Sequence, residues 1–261
     1  LGDVTHDDAL AVSRERVEEF IVKALREAKR HTSWVHQDEG YETASLRPVR
    51  GLLHAGARLL TAFKPLARRL AFAGMLASLS RSILKCTLPG VPDLYQGTEF
   101  WDLSFVDPDN RRPIDYEARI RSLRSLESAE APADLFASWP DARIKQFILT
   151  ALLADRAETP TLYANGDYRP VKAQGPKARN VLSFVRTCGD ERLAVVVPRL
   201  VGAAAEEAAS VALIFAQTSL PLPKGQWRDI ITGDHHELHG DGIAVTELFS
   251  KLPFSVLRAM T

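Results

Sequence analysis

The chain has 261 residues, 46% hydrophobic and 25% charged, the make-up of an ordinary globular protein with room for one large domain or two smaller ones. Its 33 basic and 33 acidic side chains cancel, so no overall basic field marks it for nucleic acid or a membrane surface. Cys86 and Cys188 are the only cysteines and read as two reduced thiols, and no apolar run reaches the ~18 residues of a membrane span.

The chain opens Leu1-Gly2 with neither Met nor a basic-then-apolar leader. We read it as a piece cut from a longer chain, or one numbered from an internal boundary, and expect a cytoplasmic protein. Asp7 and Asp8 suit the cap of a helix starting near Ala9. Val17, Phe20, Ile21, Ala24, Leu25 and Ala28 fall on one face of that helix, with Glu18, Glu19, Val22 and Lys23 on a solvated face. It ends in KRHTSW, where His31 and Trp34 are candidates for a site. Residues 44–64 have a helical pattern broken at Pro48, and Pro65 suits the first turn of the next helix. Leu66, Leu70, Ala73, Leu76, Leu79, Ile83 and Leu84 form a wide apolar stripe, the mark of a largely buried helix.

Between that helix and another expected over 115–128 lies PGVPDLYQGTEFWDLSFVDPDNRRPIDY, residues 89–116. A polar, turn-rich stretch held between two helices is where sites sit. Val91 to Tyr95 reads as a short buried strand stopped by Gly97, with Asp93 and Glu99 at or past its carboxyl end. The residue types suit a sugar. Glu99, Asp107, Asn110 and Arg111 can bond hydroxyl groups, as can Gln96, and Tyr95 or Trp101 offers a flat face for a pyranose ring.

In the next helix, Ile120, Leu123 and Leu126 are expected on one side and Arg119, Arg121 and Arg124 on a solvated one; residues 129–140 read as a linker. Ile144, Phe147, Ile148, Ala151 and Leu152 share a face of a further helix. From Gly166 the period changes to 2. Short β-type runs at 181–185, 193–197, 211–215, 227–231, 243–245 and 254–257 suggest an antiparallel sandwich, with a boundary at 159–166. HHELH, residues 235–239, is not the HExxH pattern and reads as a surface hairpin, not a metal site. No phosphate loop or nucleophile elbow is present, and no cofactor is expected.

PGVPDLYQGTE resembles the segment around the eighth barrel strand of the alpha-amylase superfamily, and the longer string through Tyr116 resembles the maltooligosyltrehalose synthase family within it. The KRHTSW stretch and the Tyr41-Glu42 pair also match that family, although its usual Asn and Pro after Trp34 are replaced by His36 and Gln37-Asp38. The resemblance covers nearly the whole chain but only the last third or so of the family's length. It implies an α+β fragment: residues 1–160 would hold the last helices and last strand of a (β/α)8 barrel, and residues 161–261 a C-terminal β-sandwich domain.

The activity implied is that of a (1→4)-α-D-glucan 1-α-D-glucosylmutase, an isomerase of trehalose biosynthesis acting on maltooligosaccharides, with a trehalose-releasing hydrolase downstream. Its carboxylates come from strands 4, 5 and 7, which precede this chain. THDD at residues 5–8 resembles the strand-7 HD motif only superficially, because it heads a helix. The implied substrate-binding set is His31, Trp34, Tyr95, Gln96, Glu99, Trp101, Asp107, Asn110 and Arg111, with no catalytic residue in the chain. A hydrolase or glucanotransferase of the same superfamily, or a non-catalytic sugar-binding or structural module, are the other readings open.

Overall fold

The computed structural model describes residues 7–54, 57–126, 130–202, 211–240 and 242–260. They divide into two compact units: Leu1–Arg68 with Asp102–Ile114, and Arg69–Trp101 with Asp115–Thr261. Thr5 and His6 of the THDD run, the side chains of Asp7 and Asp8, and Glu127 to Ala129 lie outside the described set.

The first unit is built on helices α1 (Asp7–Ala28) and α2 (Glu39–His54), joined by the KRHTSW loop. Asp38 caps α2: its Oδ1 accepts from the Tyr41 amide at 2.9 Å. Arg26 forks onto Glu42 at 2.8 Å, and Arg50 bonds Glu18 at 2.6 and 3.0 Å. Eight residues separate the partners on each helix in opposite senses, which is the signature of an antiparallel pair about two turns apart. Pro48 lies inside α2 without breaking it. The segment from Asp102 to Ile114 lies along α1, where Phe20 stacks on Phe105 at 5.0 Å.

Helix α3 (Ala57–Thr87) contains Pro65 as its ninth residue, not in its first turn. Leu66 and Leu70 are exposed; only from Met75 onward, through Leu76, Leu79, Ile83 and Cys86, does the stripe enter the core. The second unit continues with α4 (Tyr116–Ser125), α5 (Pro132–Ala137), α6 (Arg143–Glu158) and α7 (Pro160–Asn165). Part of the expected linker is therefore helical.

Strands follow: β1 (Arg169–Pro170), β2 (Val181–Cys188), β3 (Glu191–Pro198), β4 (Ser219–Leu220), β5 (Gly225–Asp229), β6 (His235–Leu238), β7 (Ile243–Ala244) and β8 (Ser255–Ala259), with a four-residue helix α8 (Val245–Leu248) before the last. They form a six-stranded antiparallel sheet in the order β1-β2-β3-β8-β5-β6 and a two-stranded ladder β4-β7. Residues 211–215, expected as a strand, are a 3-10 turn.

Register places Arg186 opposite Leu193, Leu193 opposite Arg258, and Arg258 opposite Arg228, so these side chains share one face of the sheet. Two of them reach the helices. Arg258 bonds the Thr159 hydroxyl at 2.6 Å and pairs with Asp155. Arg186 is fully buried and donates to the carbonyls of Thr87 (3.3 Å), Tyr163 (3.1 Å), Gly166 (2.7 Å) and Asp167 (3.4 Å). The first of these is the last residue of α3 and the next two lie at the end of α7, where carbonyls have no partner within their own helix. Burial pushes the Arg186 pKa down, and the neighbouring Arg156 charge pushes the same way.

Replacing Arg186 with Met should leave those carbonyls unsatisfied and lower the unfolding free energy by about 3 kcal/mol. Urea unfolding of the chain measures this; a loss under about 1 kcal/mol would show that the carbonyls rehydrate at little cost.

Candidate functional site

The segment at 91–95 is not a strand. It has no ladder partner among the described residues, and Val91 is 92% exposed. A strand forms only against neighbours that take its N–H and C=O groups. Side chains hold the segment instead. Lys85 donates to the Asp93 carbonyl at 2.9 Å, and Arg156 to that of Cys86 at 3.0 Å and to Gly90. Lys145 donates to the Phe100 carbonyl at 3.0 Å.

The candidate residues divide between the two units. In the second unit Tyr95 stays half exposed, and Gln96 accepts a hydrogen bond from the Tyr116 hydroxyl at 2.9 Å. Glu99 faces Arg119 at 3.3 Å. Trp101 is committed to packing: its Nε1 donates to the Trp139 carbonyl at 2.7 Å, and the two rings meet edge to face at 6.5 Å. Arg119 corrects an expectation. It is not on a solvated face, while Ile120 and Leu123, expected to be covered, are each 42% exposed.

In the first unit the KRHTSW and DPDNRRP loops both dock on α1. Thr32 is buried and donates to Glu42 at 2.6 Å, while its oxygen accepts from the Asp38 amide at 3.1 Å. Ser33 and His36 close a tight turn. Trp34 therefore stands on a fixed base, one face over the Arg26 guanidinium at 5.1 Å, and remains 52% exposed. His31 lies against Tyr41 at 4.8 Å on the surface.

Across α1, Asp109 anchors the second loop. Its carboxylate takes both Arg16 nitrogens at 2.8 Å and the Phe105 amide at 2.6 Å. Lys23 reaches the Asp107 carbonyl. The flanking Asp107 and Arg111 pair with each other at the surface, and Asn110 is exposed beside them. Nothing in the local sequence distinguishes Asp109, because four loop carboxylates and arginines within six residues look alike. What singles it out is Arg16, 93 positions away.

Between the loops runs an open groove of about 620 Å3, lined by Glu15, Glu18, Glu19, Val22 and Lys23 of α1, with Trp34, Leu46 and Pro108. Carboxylates beside an exposed indole face can bond hydroxyls and stack a sugar ring. Of the HHELH run, His235 and His236 lie on β6, paired with β5, and His239 follows the strand. His236 is 3.9 Å from Glu247, and His235 is 3.2 Å from the Met260 sulfur.

No protein-family model matches the chain. A curated protein of Mycobacterium tuberculosis named maltooligosyl trehalose synthase is 36% identical over 256 residues, 95% of this chain but 28% of that protein. The solved structure of maltooligosyltrehalose synthase from Arthrobacter ramosus superposes with a TM-score of 0.80 at 30% identity, covering 95% of this chain and 30% of the other. A second maltooligosyl trehalose synthase structure gives 0.75 at 25% identity, covering 99% and 31%. This chain is similar to a C-terminal portion of maltooligosyltrehalose synthases. It spans under a third of the length of the relatives it matches.

The two arginine forks set a pH dependence. Arg26 and Thr32 hold Glu42 down from 4.5 to about 2, and Arg16 holds Asp109 down from 3.8 to about 2. A lowered pKa means that the folded unit favours the charged form. The stabilisation is then full above the ordinary values and is lost as pH falls through about 2. Tryptophan fluorescence of the chain should report loosening around Trp34 between about pH 4.5 and 2. Glu42→Gln should abolish the part of that change centred on the KRHTSW loop; an unaltered titration would show that the fork does not hold it.

Proposed function

We propose that the protein carrying this chain is a (1→4)-α-D-glucan 1-α-D-glucosylmutase, converting the reducing-end α-1,4 bond of a maltooligosaccharide into an α,α-1,1 bond. The observation that supports this most is likeness over 95% of the chain to maltooligosyltrehalose synthases, in sequence at 36% identity and in structure at a TM-score of 0.80. On this reading residues 1–160 belong to the last part of a (β/α)8 barrel and residues 161–261 form a C-terminal β-sandwich domain. Residues 91–95 become the eighth strand only beside strands that this chain does not hold.

The chemistry of a retaining transfer requires a nucleophilic carboxylate and an acid/base carboxylate about 5 Å apart. We place these outside this chain. The chain's own part is to bind and enclose. The glucose released by bond cleavage must stay in place, turn, and attack through its anomeric hydroxyl while water is kept out. Trp34 and Tyr95 offer sugar-stacking faces. His31, Gln96, Glu99, Asp107, Asn110 and Arg111 offer hydroxyl contacts; Trp101 supports the loop from beneath. The location is cytoplasmic, and a trehalose-releasing hydrolase uses the product; no helix among the described residues is long and apolar enough to cross a membrane.

Incubation with maltopentaose, followed by sugar chromatography, tests the assignment. The full-length protein should form a trehalose-ended product, and the 261-residue chain alone should form none. Glucose or shortened maltooligosaccharides from the full-length protein would favour a hydrolase or glucanotransferase instead. Because the Arg111–Asp107 pair is solvent-exposed, Arg111→Ala should leave the melting temperature nearly unchanged, since such pairs contribute only about 0–1 kcal/mol. It should lower kcat/KM on maltooligosaccharides about tenfold, the loss of one charged contact. Unchanged kcat/KM would remove Arg111 from the site.

A further inference from the structure

We propose that Arg119 and Tyr116, on the first turn of α4, are positioning residues that fix Glu99 and Gln96 for hydroxyl groups of a maltooligosaccharide. The inference rests on the reading of Glu99 and Gln96 as sugar contacts given above.

The geometry around Arg119 supports it. Its three kinds of nitrogen go to three separate points. Nε faces Glu99 at 3.3 Å, Nη2 donates to the Gly97 carbonyl at 2.7 Å, and Nη1 donates to the Asp115 carbonyl at 3.0 Å. The guanidinium lies 4.8 Å from the centre of the Phe100 ring. Residues 97 to 100 thus curve around one planar cation. The turn runs from Tyr95 to Thr98, closed by the Thr98 amide on the Tyr95 carbonyl, with Gly97 third in it, where its φ of +85° suits a residue without a side chain. The Arg119 side chain is 18% exposed and that of Glu99 is 37% exposed. The carboxylate is therefore held on one side by the arginine and open to solvent on the other.

Helix α4 is itself fixed at this end. Asp115 caps it through the Ala118 amide at 2.8 Å, and Gln146 of α6 donates to the Arg119 carbonyl at 3.1 Å. One turn earlier, the Tyr116 hydroxyl donates to Oε1 of Gln96 at 2.9 Å. That bond orients the amide and leaves its nitrogen to donate elsewhere. The first turn of α4 thus sets the direction of two polar side chains on the neighbouring loop. A lysine could not replace Arg119, because an ammonium is a point charge and cannot hold three acceptors in one plane.

The test uses the full-length protein and maltopentaose. Arg119→Lys keeps the charge and should lower kcat/KM about tenfold, equivalent to ~1.4 kcal/mol. Glu99→Gln should lower it comparably. The double variant should fall no further than Glu99→Gln alone, because Arg119 acts through that carboxylate. Tyr116→Phe removes one oxygen from an exposed ring and should lower kcat/KM severalfold at an unchanged melting temperature, which keeps the test informative where an Arg119 variant folds poorly. Unchanged kcat/KM in both Arg119→Lys and Tyr116→Phe overturns the inference. A loss from Arg119→Lys that is equally large in the Glu99→Gln background overturns it too, since that marks general support of the loop. Unchanged kcat/KM in both Glu99→Gln and Gln96→Ala refutes the underlying reading of the sugar contacts, and the positioning role falls with it.

Discussion

The second unit depends on a guanidinium with no solvent contact. Arg186 sits on β2, and its cradle is made of carbonyls at the ends of α3 and α7. A helix end facing a sheet is a problem of unsatisfied acceptors, which water cannot reach once the core closes. One delocalised cation with five N–H groups meets several such acceptors at once. Arg258, in the same register row, does related work one helix along, where Tyr163, Asp155 and Thr159 meet. Burial also holds the Tyr163 phenol far above its ordinary pKa, so it remains a hydrogen-bond donor to Asp155 at any working pH.

The same device recurs in the loops. Lys85, Arg119, Lys145 and Arg156 each take a carbonyl of the segment between Cys86 and Phe100. In the first unit Arg16, Lys23 and Arg26 hold the two loops on α1. Cations projecting from helices thus replace a strand ladder as the means of fixing an irregular backbone. The arrangement leaves the loop side chains free to face outward. Trp34 shows the result most plainly: its turn is pinned from beneath, and more than half its surface stays available.

A zero net charge conceals this division of labour. Arg16, Arg26, Arg119 and Arg258 are each engaged with carboxylates, and so are not a field for capturing anions. Affinity for a neutral, hydroxyl-rich ligand needs no such field. It needs fixed donors and acceptors beside an apolar face, the role proposed for the pinned loops.

Several features were determined by the sequence alone. The change from a 3.6 to a 2.0 period at Gly166 marked where helices give way to strands, because periodicity is local. The strands at 181–188 and 191–198 were legible for the same reason, as was the helix over 143–158. The PGVPDLYQGTE and DPDNRRP strings named the relatives. Other features were decided only by tertiary structure. Val91 to Tyr95 has strand propensity but no ladder partner among the described residues, and propensity cannot supply the missing ladder. Residues 211–215 are apolar and β-like, yet they close a turn whose Phe215 packs edge to face on Phe249. Arg119 carries the same charge as Arg121 and Arg124 and differs from them only in what lies opposite. Asp109 could not be told from Asp107 until Arg16 arrived from 93 residues away. Long-range pairing of identical residue types leaves no trace in local pattern, so the order of helices and then antiparallel strands could be read from the chain while the partners that hold the loops could not.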